Sequence, residues 1–319
     1  MRPSAIGFAL AALLSSPMWT AAVPSAALGL NTVPISRVAS GPFPKTAIGA
    51  FGHAAVLAAP PQRIVSLALS ADEDLLELVA PDRVVGLTRF IDNPTLTLSA
   101  SRAPVGAARL TENDPESILR LDPDLVVAAA YTRIETIGLL QAAGIPVIQI
   151  GELATLDDIV SAMASLGEAV GESLRAHTLI DAMRAREARV ASRPRPDRPA
   201  RILVWDHGYT RGAGTLTDDI LHRIGAVNAA AQLGLKGYAA IVGESALALA
   251  PDVVLVPSAE PAVRFRAVDL VATDPVWSLV PAVQAGRVVG VPRVRLDSVS
   301  VHAFAALETI AEVVDGQEP

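Results

Sequence analysis

One stretch of twelve residues occurs twice in this chain. Glu116–Val127 reads ESILRLDPDLVV, and Glu244–Leu255, 128 positions further on, reads ESALALAPDVVL, with seven of twelve positions identical. That spacing exceeds any solenoid period, so the pair implies two similar lobes with one copy in each. Each copy opens on a glutamate at the start of a short helical stretch. Each ends in an apolar strand introduced by Pro-Asp.

The chain around the copies alternates between short β-branched runs and helical stretches. Candidate strands are RIVSL (63–67), RVVGL (83–87), LVVAA (125–129), PVIQI (146–150), RILVW (201–205), DVVLVP (252–257) and RVVGV (287–291). They are continuously apolar, as strands covered on both faces are. Helices fall between them. ADEDLLELVA (71–80) has acidic residues in its first turn, where the helix dipole favours them. PESILRL opens on proline, and IETIGLLQAAG ends at Gly144. The pattern is α/β with a mostly parallel sheet. It breaks between Thr155 and about Ser192, where Leu156, Ile159, Val160, Met163, Leu166 and Val170 recur at helical spacing and Leu174, Ile180 and Met183 continue the stripe. Gly167 and Gly171 weaken the stripe without ending it. The spacing predicts one long helix, stopped by RPRPDRP at 193–199.

Composition narrows the rest. The 319 residues are 51% hydrophobic, enough for a sizeable core, and the net charge of −7 comes without blocks of like charge, so nucleic acid is not an expected partner. Cysteine is absent, which removes disulfides, thiolate metal sites and a lipid-modified cysteine anchor. One arginine precedes an apolar stretch from Ala5 to Leu14, and small residues offer cleavage points between Ala22 and Ala27, the form of a secretory signal peptide. The expected division is a signal peptide over 1–27, a leader over 28–42 for which order and disorder are both open, an N-terminal α/β lobe over 43–154, a bridging helix over 155–193 and a C-terminal α/β lobe over 194–319. FPKTAIGAFGHAAVLAAPPQ suggests an edge hairpin turning near Gly52 ahead of the first strand.

The ordered set PPQRIVSLALSADEDLLEL, DRVVGLTRFIDNP, the DPDLVVA repeat, GAGTLTDDILHRIGAVNAA, ESALALAPDVVLV and DPVWSLVPAVQAGRVVGVP resembles the periplasmic substrate-binding proteins of ABC importers for iron–siderophore complexes, haem and cobalamin. The resemblance spans roughly Phe43 to Val314. It implies two Rossmann-like α/β lobes joined by a single long α-helix, with the ligand cleft between them. It also implies a periplasmic monomer that passes a small-molecule metal chelate to a permease dimer and its ATPase subunits, with no cofactor of its own. In that family one glutamate per lobe docks onto permease arginines; the matching positions are Glu116 and Glu244. The same two glutamates also read simply as helix-start residues favoured by the dipole.

The cleft should lie where loops leave the carboxyl ends of the strands. Those loops carry Arg89, Phe90, Tyr131, Arg133, His207, Tyr209, Arg211, Tyr238, Arg293 and Arg295, and they hold all three tyrosines of the chain. Aromatic rings offer flat apolar area and arginines offer charge and directed donors, so these ten are the candidate ligand-binding residues. Singly, each arginine reads as a solvated surface charge. No catalytic or bare-metal signature is present: there is no Gly-x-Ser-x-Gly, no Walker loop, and no paired-histidine motif among His53, His177, His207, His222 and His302. GAGTLTDDIL reads either as a weak anion-binding turn or as a tight strand-to-helix turn with Thr217 as N-cap.

Three classes follow. The first is a solute-binding protein, not an enzyme, whose Arg-rich loops suit an anionic ferric siderophore. Corrinoid stands second as ligand, and haem third because Phe90 occupies the place where haem binders carry a tyrosine. The second class is an exported two-lobed enzyme acting on a phosphate-bearing substrate. The third is a sensor or chaperone presenting its ligand to a receptor.

Overall fold

The computed structural model describes residues 37–49, 54–111, 114–195, 197–258 and 267–316. The expected signal peptide and the turn near Gly52 lie outside them. Arg37–Val38 (β1), Lys45–Ile48 (β2) and Ala54–Leu57 (β3) form a small antiparallel sheet, so the tail of the expected leader is a strand. The N-terminal lobe then runs Ile64–Ser66 (β4), Leu69–Leu78 (α1), Val84–Thr88 (β5), Ala108–Leu110 (β6), Pro115–Leu119 (α2), Leu125–Ala129 (β7), Ile134–Ala142 (α3) and Val147–Ile150 (β8). Its five strands are all parallel, in the order β6-β5-β4-β7-β8.

The bridge differs from the single long helix read from the sequence. It is two helices, Leu156–Val170 (α4) and Ser173–Ala191 (α5). Gly171 ends α4 in a left-handed conformation (φ 77°), with its N–H bonded back to Glu168. The chain then reverses. A Cβ on Gly167 would lie 2.3 Å from the Ala176 Cβ, and Arg184 of α5 meets Asp157 at the other end of α4, so the two helices pack as an antiparallel hairpin. A hydrophobic stripe cannot report this reversal, because both helices bury the same kind of face against the same core.

The C-terminal lobe follows as Arg201–Val204 (β9), Tyr209–Arg211 (β10), Leu216–Arg223 (α6), Val227–Asn228 (β11), Ala229–Gln232 (α7), Tyr238–Ala240 (β12), Gly243–Leu249 (α8), Val253–Ser258 (β13), Ala267–Thr273 (α9), Pro281–Gln284 (α10), Val288–Pro292 (β14), Arg293–Leu296 (α11) and Ala303–Val314 (α12). Its main sheet is parallel, in the order β11-β9-β13-β14, and β10 pairs with β12 as a separate antiparallel ribbon.

One core serves both lobes. Ile64, Leu75 and Leu125 from the first, Leu156, Met163 and Met183 from the hairpin, and Ile202, Val253 and Phe304 from the second belong to one cluster of buried side chains. Each main sheet packs its other face on a separate, local cluster. α4 starts against the second lobe, where Asp219 accepts from the Leu156 N–H at 2.9 Å and Arg223 pairs with Asp157. It ends against the first, where Lys45 bonds Glu168 at 2.6 Å and Arg83 bonds Glu172 at 2.7 Å. α5 returns to the second lobe, where Arg186 and Arg189 pair with Glu308 of α12.

The repeat has a structural account. In each copy the residue after the shared leucine takes a left-handed conformation without being glycine, Asp122 (φ 48°) and Ala250 (φ 44°). The shared aspartate then secures the start of its lobe's first strand. Asp124 accepts from the Gln62 and Arg63 N–H groups, and Asp252 from Arg201 N–H at 2.8 Å. Arg63 and Arg201 in turn donate to carbonyls of the repeat itself, Arg63 to Leu121 and Asp122, Arg201 to Leu249. Each repeat is a clasp between a helix end and the first strand.

Candidate functional site

Parallel sheets offer a crevice where their strand order reverses, beyond the carboxyl ends of the strands. In the first lobe the reversal lies between β4 and β7. The chain leaves β4 into α1 and leaves β7 into the 130–133 loop, so Asp72 and Tyr131 face the same crevice. Asp72 is fully buried and accepts from both the N–H and the hydroxyl of Thr88, the last residue of β5. That contact fixes the chain just before Arg89 and Phe90, which are both exposed, with the Arg89 guanidinium 5.3 Å from the Phe90 ring centre. Burial pushes Asp72 up to about 8, against the pull of Ser66 and Thr88. Tyr131 is 59% exposed yet flanked by protein; desolvation first, and the Asp72 charge second, push its hydroxyl up to about 12. Arg133 is exposed at the start of α3, and its nearest carboxylate, Glu135, is 3.9 Å away.

In the second lobe the reversal lies between β9 and β13. After β9 the chain makes a two-residue turn, His207 (φ 50°) and Gly208 (φ 87°), closed by reciprocal bonds between Asp206 and Tyr209. Left-handed backbone at both central positions marks a hairpin turn that follows the twist of the strands. His207 stands out from it, 82% exposed, stacked on Trp205 at 5.9 Å. Asp206 contacts its Nδ1 at 2.8 Å, so Nδ1 donates to the carboxylate and Nε2 has no hydrogen-bond partner among the described residues. Asp206 in turn receives two bonds from Arg293; although burial works against it, these hold its carboxyl below the usual carboxylate range. The register Arg211↔Tyr238 in the β10–β12 ribbon lays the Arg211 guanidinium 5.8 Å from the Tyr238 ring centre.

The structure thus groups His207, Tyr209, Arg211, Tyr238 and Arg293 within the second lobe, and places Arg89, Phe90 and Tyr131 in loops at the carboxyl ends of the first lobe's strands. Two of the arginines are committed internally. Arg211 is 3% exposed and bonds Asp297, the Leu296 carbonyl and Thr217; Arg293 bonds Asp206 and Asp297. Arg295 does not join them. Two positions along a helix turn a side chain by about 200°, and Arg295 instead donates to Thr309 of α12 at 3.1 Å. Sequence reasoning passed over Asp72, Asp206 and Asp297, the carboxylates that hold the wall residues. The acidic start of α1, read as a dipole effect, is instead a buried row, Asp72, Glu73 and Asp74.

Glu116 and Glu244 occupy the second position of α2 and α8, and both are exposed. Asp114 caps α2, whereas in the second lobe Asp274 reaches across to accept from the Gly243 N–H at 3.1 Å. The glycine-rich turn is already filled. Asp218 accepts from the Gly214 N–H and from Asn228, and the N-cap is Thr215, not Thr217. A phosphate would have to displace an internal carboxylate, so that turn lends nothing to the enzyme reading. Among the described residues, no group of three or more histidines and carboxylates is placed to hold a bare ion, and no helix is long and apolar enough to cross a membrane. Among the described residues, two concavities elsewhere, one beside Val190 and Gly225 and one between β3 and the Gly144–Val147 segment, include none of the ten candidate ligand-binding residues.

A family model described as periplasmic binding protein matches residues 64–294. A cobalamin-binding protein of Halobacterium salinarum is 31% identical over 253 residues, spanning 78% of this chain and 68% of that protein. Among solved structures, the periplasmic haem-binding protein RhuT of Roseiflexus is 24% identical, with a TM-score of 0.66 over 79% of this chain and 97% of that one. The molybdate periplasmic binding protein MolA of a Haemophilus influenzae ABC transporter is 21% identical, with a TM-score of 0.69 over 85% and 91%.

Proposed function

Since this chain belongs to the periplasmic binding protein family, we propose that it holds a metal chelate between its lobes and delivers it, unreacted, to the permease dimer of an ABC importer. The observation that carries this reading is the pair of walls: exposed aromatic rings on both, and one imidazole whose outward nitrogen is free. Flat rings suit a flat, partly apolar ligand. A carboxylate-oriented imidazole suits a metal with an open position. Glu116 and Glu244 serve as the anchors for permease arginines.

Among chelates, the favoured one is a corrinoid. The cobalamin-binding relative supports it, and so does the internal pairing of Arg211 and Arg293, which leaves fewer free cations for a polyanion. A ferric siderophore is the second reading, favoured by Arg89 and Arg133, which stay exposed. Trp205, stacked on His207, is a built-in reporter. Titrating the protein with aquocobalamin should quench tryptophan emission and saturate at one equivalent. His207→Ala should weaken that binding at least about tenfold, the loss of one ~1.4 kcal/mol contact. Saturable binding of a ferric hydroxamate alone would transfer the assignment to siderophores, and binding of no chelate would overturn it.

A further inference from the structure

Three consecutive side chains of α1 each hold a different piece of the crevice. Asp72 holds Thr88, at the root of the Arg89–Phe90 loop. Glu73 accepts from Thr97 of its own lobe at 2.6 Å, and from Ser300 at 2.6 Å and Ser298 at 3.3 Å of the other. Asp74 accepts from the Val301 N–H at 2.9 Å, again in the other lobe. Beside them, Ser99 of the first lobe meets His302 of the second at 2.9 Å. The lobes therefore meet in a polar contact through Glu73 and Asp74, with Asp72 beside them holding Thr88 of its own lobe.

None of the three is paired with a cation. β4, β5 and β7, on which α1 packs, carry no ionisable side chain. Of the neighbouring charges, Arg102 is taken by Glu77, Arg186 by Glu308, Lys45 by Glu168 and Asp92 by Arg109, while Arg89 lies over Phe90 and Tyr131 keeps its proton. His302 is held below its usual range, chiefly by burial, although Glu73 and Glu77 favour its charge. Adjacent buried carboxyls without a counter-ion cannot all ionise cheaply. Asp74, like Asp72, is pushed up to about 8, by burial first.

We propose that Asp74 makes the lobe contact a proton-held latch, tight while its carboxyl keeps its proton and looser as it gives it up, so that this contact follows the pH of the medium. The sign follows from linkage. The closed floor binds a proton that the opened, hydrated floor releases near an ordinary carboxylate pKa. Opening is therefore favoured as pH rises between about 4 and 8, by about tenfold per pH unit for the one coupled acid, and levels off above. This holds for any ligand and does not depend on the importer reading.

Native-state hydrogen exchange of the ligand-free protein tests it. Val301 donates its N–H to Asp74 across the lobe contact, so its amide reports latch opening, while Thr88, bonded to Asp72 inside the first lobe, serves as the local control. Between pH 5.5 and 7.5, after correction for the intrinsic rate, the opening equilibrium at Val301 should rise on the order of 100-fold. Core amides such as that of Val126 should rise less. Asp74→Asn keeps the acceptor oxygen and removes the titration, and should flatten the Val301 response. A wild-type Val301 amide whose corrected protection is unchanged across that range overturns the latch on its own, whether or not the variant folds. An Asp74→Asn protein that keeps the full wild-type response overturns it equally.

Discussion

Asp297 holds two guanidinium groups at once, those of Arg211 and Arg293. Arg293 passes the constraint on to Asp206, and Asp206 to His207. Breaking a buried ion pair from one side strands the other charge. Asp297→Ala should therefore cost about 3 kcal/mol in chemical denaturation, because Arg211 is buried and stays. The two exposed arginines should behave otherwise, with Arg89→Ala and Arg133→Ala changing stability within about 0.5 kcal/mol. The sequence singles out the candidate residues because aromatic and basic side chains cluster in loops that follow strands. Their carboxylate holders were not legible there, since an aspartate in a loop looks the same whether it faces water or an arginine from 87 positions away. Asp72, Glu73 and Asp74 were harder still: a run of acids at a helix start normally reads as a solvated turn, and only the lobe packed over it makes it a floor.

At the scale of elements, seven of the strands read from apolar runs are present, and the parallel order of both main sheets follows from the alternation with helices. Short strands such as β6, β10, β11 and β12, of two or three residues, carry too little pattern to be read. The α4–α5 reversal was hidden for a different reason. Gly171 looked like a weak spot in one helix because nothing local says that Pro60 and Phe43 close over it. The close approach of the two helices rests on Gly167. Its missing side chain lets Ala176 sit where a methyl group would be, so Gly167→Ala should destabilise by about 1–3 kcal/mol through overpacking. Thermal melts should show that loss. Gly138→Ala in α3, whose added methyl meets nothing within 4 Å, should instead be neutral or mildly stabilising.

At the scale of the whole molecule, the two repeats set one exposed glutamate on each lobe at matching points. Glu116→Ala with Glu244→Ala should leave chelate titrations unchanged while lowering uptake and stimulated ATP hydrolysis in reconstituted vesicles. The wild-type interaction should weaken with salt. Uptake at the wild-type rate would reduce both residues to helix starts. Such docking presumes that the distance between the anchors is fixed, and the bridge supplies that. The chain passes between the lobes three times, entering α4, returning along it and leaving along α5. A single strut can twist; three ties with a common core resist rotation as well as bending, so an opening at the Asp74–Val301 contact stays local and leaves the spacing of the anchors unchanged. If the proposed ligand sits between lobes spaced this way, the frame acts as a gauge: selection by size would come before any chemical contact is made.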